Sequence, residues 1–178
     1  VVLRQLLESA AWTTSKAALP LALGQDVGGH VLMADLASMP HMLIAGATGQ
    51  GKTVCMNSIL AGLLMTSTPD ALRLILIDPK IVEFSGYNGL PHLLVPVITD
   101  AKKVISGLRV AIQEMENRFK LFHRAKVRDI TGFNNRPKAE QTALFDGAGE
   151  GDAAADGAEP DEEPLPDRLP YWVIIIDE

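Results

Sequence analysis

Gly46-Ala47-Thr48-Gly49-Gln50-Gly51-Lys52-Thr53 satisfies the pattern G-x-x-x-x-G-K-[ST], a loop whose backbone amides cradle nucleotide phosphates. Gly46, Gly49 and Gly51 let the backbone approach an anion closely, and the helix that follows offers its positive end. Lys52 is expected to reach the β- and γ-phosphates and to act in catalysis, while the Thr53 hydroxyl holds Mg²⁺. The nucleotide-binding set is therefore residues 46–53, with ATP and Mg²⁺ as the expected cofactors. A chance glycine-rich turn would lack the flanks seen here. His41-Met42-Leu43-Ile44-Ala45 reads as a buried strand, and Thr53 to Met65 has the apolar spacing of a helix through Val54, Ile59, Leu60, Leu63 and Leu64.

Tyr171-Trp172-Val173-Ile174-Ile175-Ile176-Asp177-Glu178 is an aromatic and β-branched run that ends in two carboxylates. Such a run suits a central parallel strand delivering acids to the carboxyl edge of a sheet. With the phosphate loop present, Asp177 is expected in the Mg²⁺ shell. Glu178 points the other way along the pleat and is the candidate catalytic acid that positions the attacking water. Alone, a strand ending in Asp-Glu would say only that it reaches solvent.

The remaining elements must hold those two segments together. Residues 1–11 read as a helix with Leu3, Leu6, Leu7 and Ala10 on one face, part of an N-terminal stretch, 1–18, assigned to a preceding domain or linker. Leu19 to Gly24 and His30 to Leu36 read as two strands around a glycine turn. Leu72 to Asp78 is a second buried strand. Its terminal Asp78-Pro79-Lys80 shapes a neighbouring loop, the metal role going to Asp177. Residues 91–98 read as loop and short edge strand, and His92 as a packing or loop residue. Asp100 caps a helix whose stripe, Val104, Ile105, Leu108, Ala111, Ile112, Met115, Phe119 and Phe122, is expected in the core. Together these predict an α/β ATPase core over 19–133 that resumes at 169–178, with an acidic, disordered insertion over 134–168.

At 178 residues and 47% hydrophobic content the chain can bury a core as one domain, and no apolar run has the length of a membrane helix. Cys55, the single cysteine, rules out an internal disulfide and reads as a packing residue. The net charge of −6 is unevenly spread: residues 139–168 carry −9, and residues 102–138 carry +7. A basic helix could serve a polyanion such as DNA, although a solvated helix face is the commoner reason for such a run. The start, Val1-Val2-Leu3-Arg4, and the end at Glu178 lead us to expect a fragment of a longer protein.

Read together, Leu19 to Asp26, Met39 to Gly46, Ile77 to Lys80, Gly89 to Leu94 and Glu114 to Arg118 resemble, in order and spacing, characteristic stretches of the FtsK/SpoIIIE family of DNA translocases. The resemblance runs from about Val2 to Phe133 and resumes at Leu169. It departs at Gln50 and Thr53, where the family typically has Ser; the second change keeps the hydroxyl. It implies a P-loop, RecA-like ATPase core with a mostly parallel sheet, incomplete here, that assembles as a homo-hexamer around double-stranded DNA for chromosome segregation. It also implies a place in the bacterial cytoplasm or at the cytoplasmic face of the inner membrane. The related ATPases of type VII protein secretion are the alternative. The neighbour-supplied arginine, the DNA-facing loops and a winged-helix module would lie beyond Glu178 or are not identifiable, so this piece is expected to bind nucleotide poorly and translocate nothing.

Overall fold

The computed structural model describes residues 2–47, 49–137 and 164–177. Its centre is the parallel pair β3 (Leu72–Ile77) and β4 (Tyr171–Ile176), in register from Leu72 opposite Tyr171 to Ile77 opposite Ile176. β3 is apolar at almost every position because it is covered on both faces, as parallel strands usually are. Leu72, Leu74 and Leu76 face the helix α3 (Lys52–Thr66), meeting Met56, Ile59, Leu60 and Leu63. Ile75 and Ile77 face the opposite layer, where Val104, Leu108 and Ala111 of α4 (Ala101–Arg124) pack. The result is a helix, sheet, helix sandwich. Each fully buried leucine in it contributes about 1.5–3 kcal/mol of apolar transfer energy.

Two smaller units complete the layer around α3. An antiparallel hairpin, β1 (Pro20–Gln25) and β2 (Val31–Asp35), is bulged between Ala22 and Gly24 and packs on α3. Asp26 closes its turn by accepting the His30 amide at 2.8 Å. At the N-terminus the expected single helix is two, α1 (Leu3–Leu7) and α2 (Ala10–Thr13). The break falls at Ser9, whose hydroxyl accepts the Trp12 amide and so starts a new helix. The Trp12 ring then packs over Gly62 of α3, where a Cβ would sit 3.3 Å from it.

The other edge of β3 is met by the segment after Pro91, as expected of a short edge strand: isolated parallel bridges join Leu74 to Leu93 and Ile77 to Ile98. The long helix also forms with its predicted cap, Asp100 accepting the Lys102 amide at 2.9 Å. α5 (Ile130–Asn134) ends beside the start of the last strand. There Asn134 donates to the Leu169 carbonyl at 2.9 Å and accepts the Leu169 amide at 2.8 Å. The acidic stretch expected to be disordered lies mostly outside the described residues, but its two ends are joined by this amide pair.

Two further expectations are corrected. Residues 41–45 do not form a strand: Leu43 is 91% exposed, and a cleft of 860 Å³ is lined by residues 40–46 together with β4. A strand exists only through a pairing partner, and this segment finds none among the described residues. Nor is the α4 stripe core. Val104, Leu108 and Ala111 pack on the sheet and Phe122 packs on the buried Phe133 ring, 5.7 Å between centroids, while Ile105, Ile112, Met115 and Phe119 are 48–60% exposed. Helical spacing fixes which residues share a face, not what covers that face.

Candidate nucleotide site

The loop between residue 46 and α3 turns on two glycines. Gly49 (φ 81°) and Gly51 (φ 88°) lie in the left-handed region, and Gly51 is the N-cap of α3. An added Cβ would meet nothing within 4 Å among the described residues at either, so their need is conformational. Gly46 is not in that region, and among the described residues a Cβ there would meet Gln50 alone, at 3.9 Å. The Gln50 amide donates to the Ala47 carbonyl at 3.1 Å, closing the turn. The first amides of α3, which a helix leaves without internal partners, face the loop. Thr48 lies outside the described residues.

Lys52 and Thr53, the first two helical residues, reach in different directions. Lys52 Nζ lies 2.8 Å from Asp177 Oδ1, with side chains 19% and 5% exposed. The β3–β4 register explains the meeting: beyond the Ile77 and Ile176 rung, Asp78 and Asp177 emerge side by side at the carboxyl edge, and the Asp177 amide donates to the Ile77 carbonyl at 3.0 Å. The fold thus brings together the loop lysine and the strand-end aspartate that the sequence singles out separately. Glu178 lies outside the described residues.

Thr53 Oγ1 donates to Glu83 Oε1 at 2.9 Å, a partner that motif reading misses. The available signal was a lone acid in the apolar run Ile81-Val82-Glu83-Phe84 after Asp-Pro-Lys. The turn that brings it there is organised by Asp78. Fully buried, its Oδ2 accepts the Glu83 and Phe84 amides, both at 2.9 Å. Burial pushes the Asp78 carboxyl up, but the amides of Phe84, Glu83, Val82 and Ile81 outweigh it and leave the group below its ordinary 3.8. This agrees with reading Asp78 as the shaper of a loop. A second tether runs beside it: Tyr87 donates to Asn57 Oδ1 at 2.7 Å, and Asn57 donates to the Thr53 carbonyl at 3.1 Å. His92 is buried, its Nε2 2.8 Å from the Ser67 carbonyl, in keeping with a packing residue.

The donor set suits a hard cation beside a polyphosphate. An alcohol oxygen at Thr53 and a buried carboxylate at Asp177 flank an amide-lined turn with no Cβ at its two tightest positions. No group of three His, Cys, Asp or Glu residues could hold a metal among the described residues. A Mg²⁺ ion bound with a nucleotide takes most of its oxygens from phosphate and water, so two protein oxygens, those of Thr53 and Asp177, would be enough to hold it. Arg118 secures the far end of β4, donating to the Pro170 carbonyl at 2.8 Å and lying 5.3 Å from the Trp172 ring centroid.

The FtsK/SpoIIIE family model matches residues 2–178. A DNA translocase SftA of Bacillus subtilis (strain 168) is 45% identical over 178 residues, covering 100% of this chain and 16% of the relative. A DNA translocase FtsK of Pseudomonas aeruginosa is 43% identical over 98% of this chain and 21% of its own length. Another FtsK, from Brucella melitensis, is 44% identical over 100% of this chain and 22% of its own. The chain thus spans about a fifth of the length of the curated relatives it matches.

Proposed function

The chain belongs to the FtsK/SpoIIIE family, and on that premise we propose that it is the nucleotide-binding part of a motor that hydrolyses Mg-ATP to move along double-stranded DNA. The family implies a P-loop NTPase fold, and the small parallel sheet between helical layers agrees with it. We read this sheet as the first part of a RecA-like core that works in a homo-hexameric ring. The chromosome-segregation role, ATP turnover and ring assembly belong to the whole protein.

The observation that carries the reading is the meeting of Lys52 with Asp177 at 2.8 Å. It supports a single site built from the loop and the last strand. In that site residues 46–53 wrap the phosphates with backbone amides, and Lys52 holds the β- and γ-phosphates. Thr53 and Asp177 hold Mg²⁺, which when bound neutralises charge on the phosphates. Glu178 orients the attacking water and takes its proton. Turnover then alters the contact between subunits and moves DNA-bound loops. Binding to a duplex through phosphates carries no base specificity and weakens steeply as salt rises. The DNA translocase names of the relatives favour DNA over a secreted polypeptide as the polymer.

The test is ATP turnover by the full-length protein with and without duplex DNA. DNA should raise the rate, an unfolded polypeptide should not, and Lys52→Ala should abolish turnover under both conditions. Stimulation that survives Lys52→Ala would refute the proposal. The described residues contain no helix long and apolar enough to cross a membrane; from family membership we place this part of the motor on the cytoplasmic side of any membrane to which the full protein is attached.

A further inference from the structure

We infer that Glu83 is a positioning residue for the metal-binding hydroxyl of Thr53, held in place by a strained turn after β3. The inference rests on the Mg-ATP reading of residues 46–53 and 177. A threonine hydroxyl has one proton and two acceptor lone pairs. With its proton given to Glu83 Oε1 at 2.9 Å, the lone pairs of Thr53 Oγ1 are left for a cation, and the adjacent carboxylate makes the oxygen more electron-rich. The bond is charge-assisted and half-buried, the kind that holds a hydroxyl to one rotamer.

The turn that delivers Glu83 is built to stay put. Ile81 has φ 59°, a conformation that costs a β-branched residue about 1–3 kcal/mol and persists only where neighbours impose it. Three contacts impose it. The Ile81 amide donates to the Asp78 carbonyl at 3.2 Å, the Asp78 carboxylate takes the Glu83 and Phe84 amides, and the Phe84 side chain is fully buried in the core. Tyr87 and Asn57 tie the same segment to the first turn of α3. The end of β3 is thereby fixed to the metal-facing side of the phosphate loop by contacts that leave the loop amides and Lys52 untouched.

This separates two quantities that simple loss of structure would move together. In the full-length protein, binding of a fluorescent, non-hydrolysable ATP analogue is measured in EDTA and across a Mg²⁺ titration. Glu83→Ala should leave the EDTA affinity unchanged and raise the Mg²⁺ concentration for half-maximal effect about tenfold, the weight of one charge-assisted hydrogen bond. Glu83→Gln, which keeps an acceptor oxygen, should recover most of the difference. Should Glu83→Ala fail to fold, Glu83→Met keeps the length without the acceptor and should show the same Mg²⁺ shift. Equal loss of affinity with and without Mg²⁺, or an unchanged Mg²⁺ titration in both acceptor-free variants, would overturn the inference. A parent protein that binds no analogue in either condition would overturn the nucleotide reading itself.

Discussion

Lys52 Nζ and Asp177 Oδ1, 2.8 Å apart, join the phosphate loop to the end of the last strand. Both groups are largely withdrawn from water, so removing one charge leaves the other costly to keep. A double-mutant cycle of Lys52→Ala and Asp177→Asn should give a coupling of about 1–3 kcal/mol in stability by urea denaturation. Strictly additive effects would mean the contact does not hold the two segments together.

Asp78 gives a pH signature of opposite origin. Its carboxyl lies below the ordinary 3.8 in the folded chain, so its contribution is fully present above about pH 3.8 and is lost as pH falls below that toward the folded value. Asp78→Asn should cost about 1–3 kcal/mol at pH 6, because two amides at 2.9 Å lose a charged acceptor. The gap between parent and variant should narrow between pH 4 and the acid limit of folding, as read by denaturant midpoints at each pH.

At Ile81 a smaller side chain should help rather than harm. Glycine adopts φ 59° without steric cost, and Ile81 is 62% exposed, so little packing is lost. Ile81→Gly should raise stability by up to about 1 kcal/mol. A drop larger than that, by thermal denaturation, would show that the turn is not strained.

The buried face of α3 and the exposed face of α4, on opposite sides of the sheet, should respond differently to truncation. Leu60 is fully buried between α3 and the sheet, and Leu60→Ala should cost about 2–5 kcal/mol. Phe119, 60% exposed, should change stability by no more than about 0.5 kcal/mol on Phe119→Ser. A large loss at Phe119 in denaturation of this chain would mean the α4 stripe is buried after all.

What the sequence makes legible follows from how local each cause is. The glycine turn of the hairpin, the cap of α4 at Asp100 and the two-face burial of β3 are written in neighbouring residues or in an unbroken apolar run, and each appears where expected. The strand reading of residues 41–45 fails because apolar content cannot supply a pairing partner, and the α4 stripe fails because periodicity says nothing of the opposing layer. Within the candidate site, Lys52, Thr53 and Asp177 are the residues that motif chemistry singles out, and the first and last of them meet. Glu83 is not, since its contact with Thr53 spans 30 positions and depends on a backbone turn at Ile81 that no residue preference announces.

Asn134 and Leu169 exchange two hydrogen bonds across the acidic stretch, and the strand bearing Asp177 begins two residues later. A chain that departs and returns through one such staple can gain or shed length in between without shifting the frame of the strand. Charge, too, can be varied in that stretch independently of the contact between Lys52 and Asp177 at the sheet's edge.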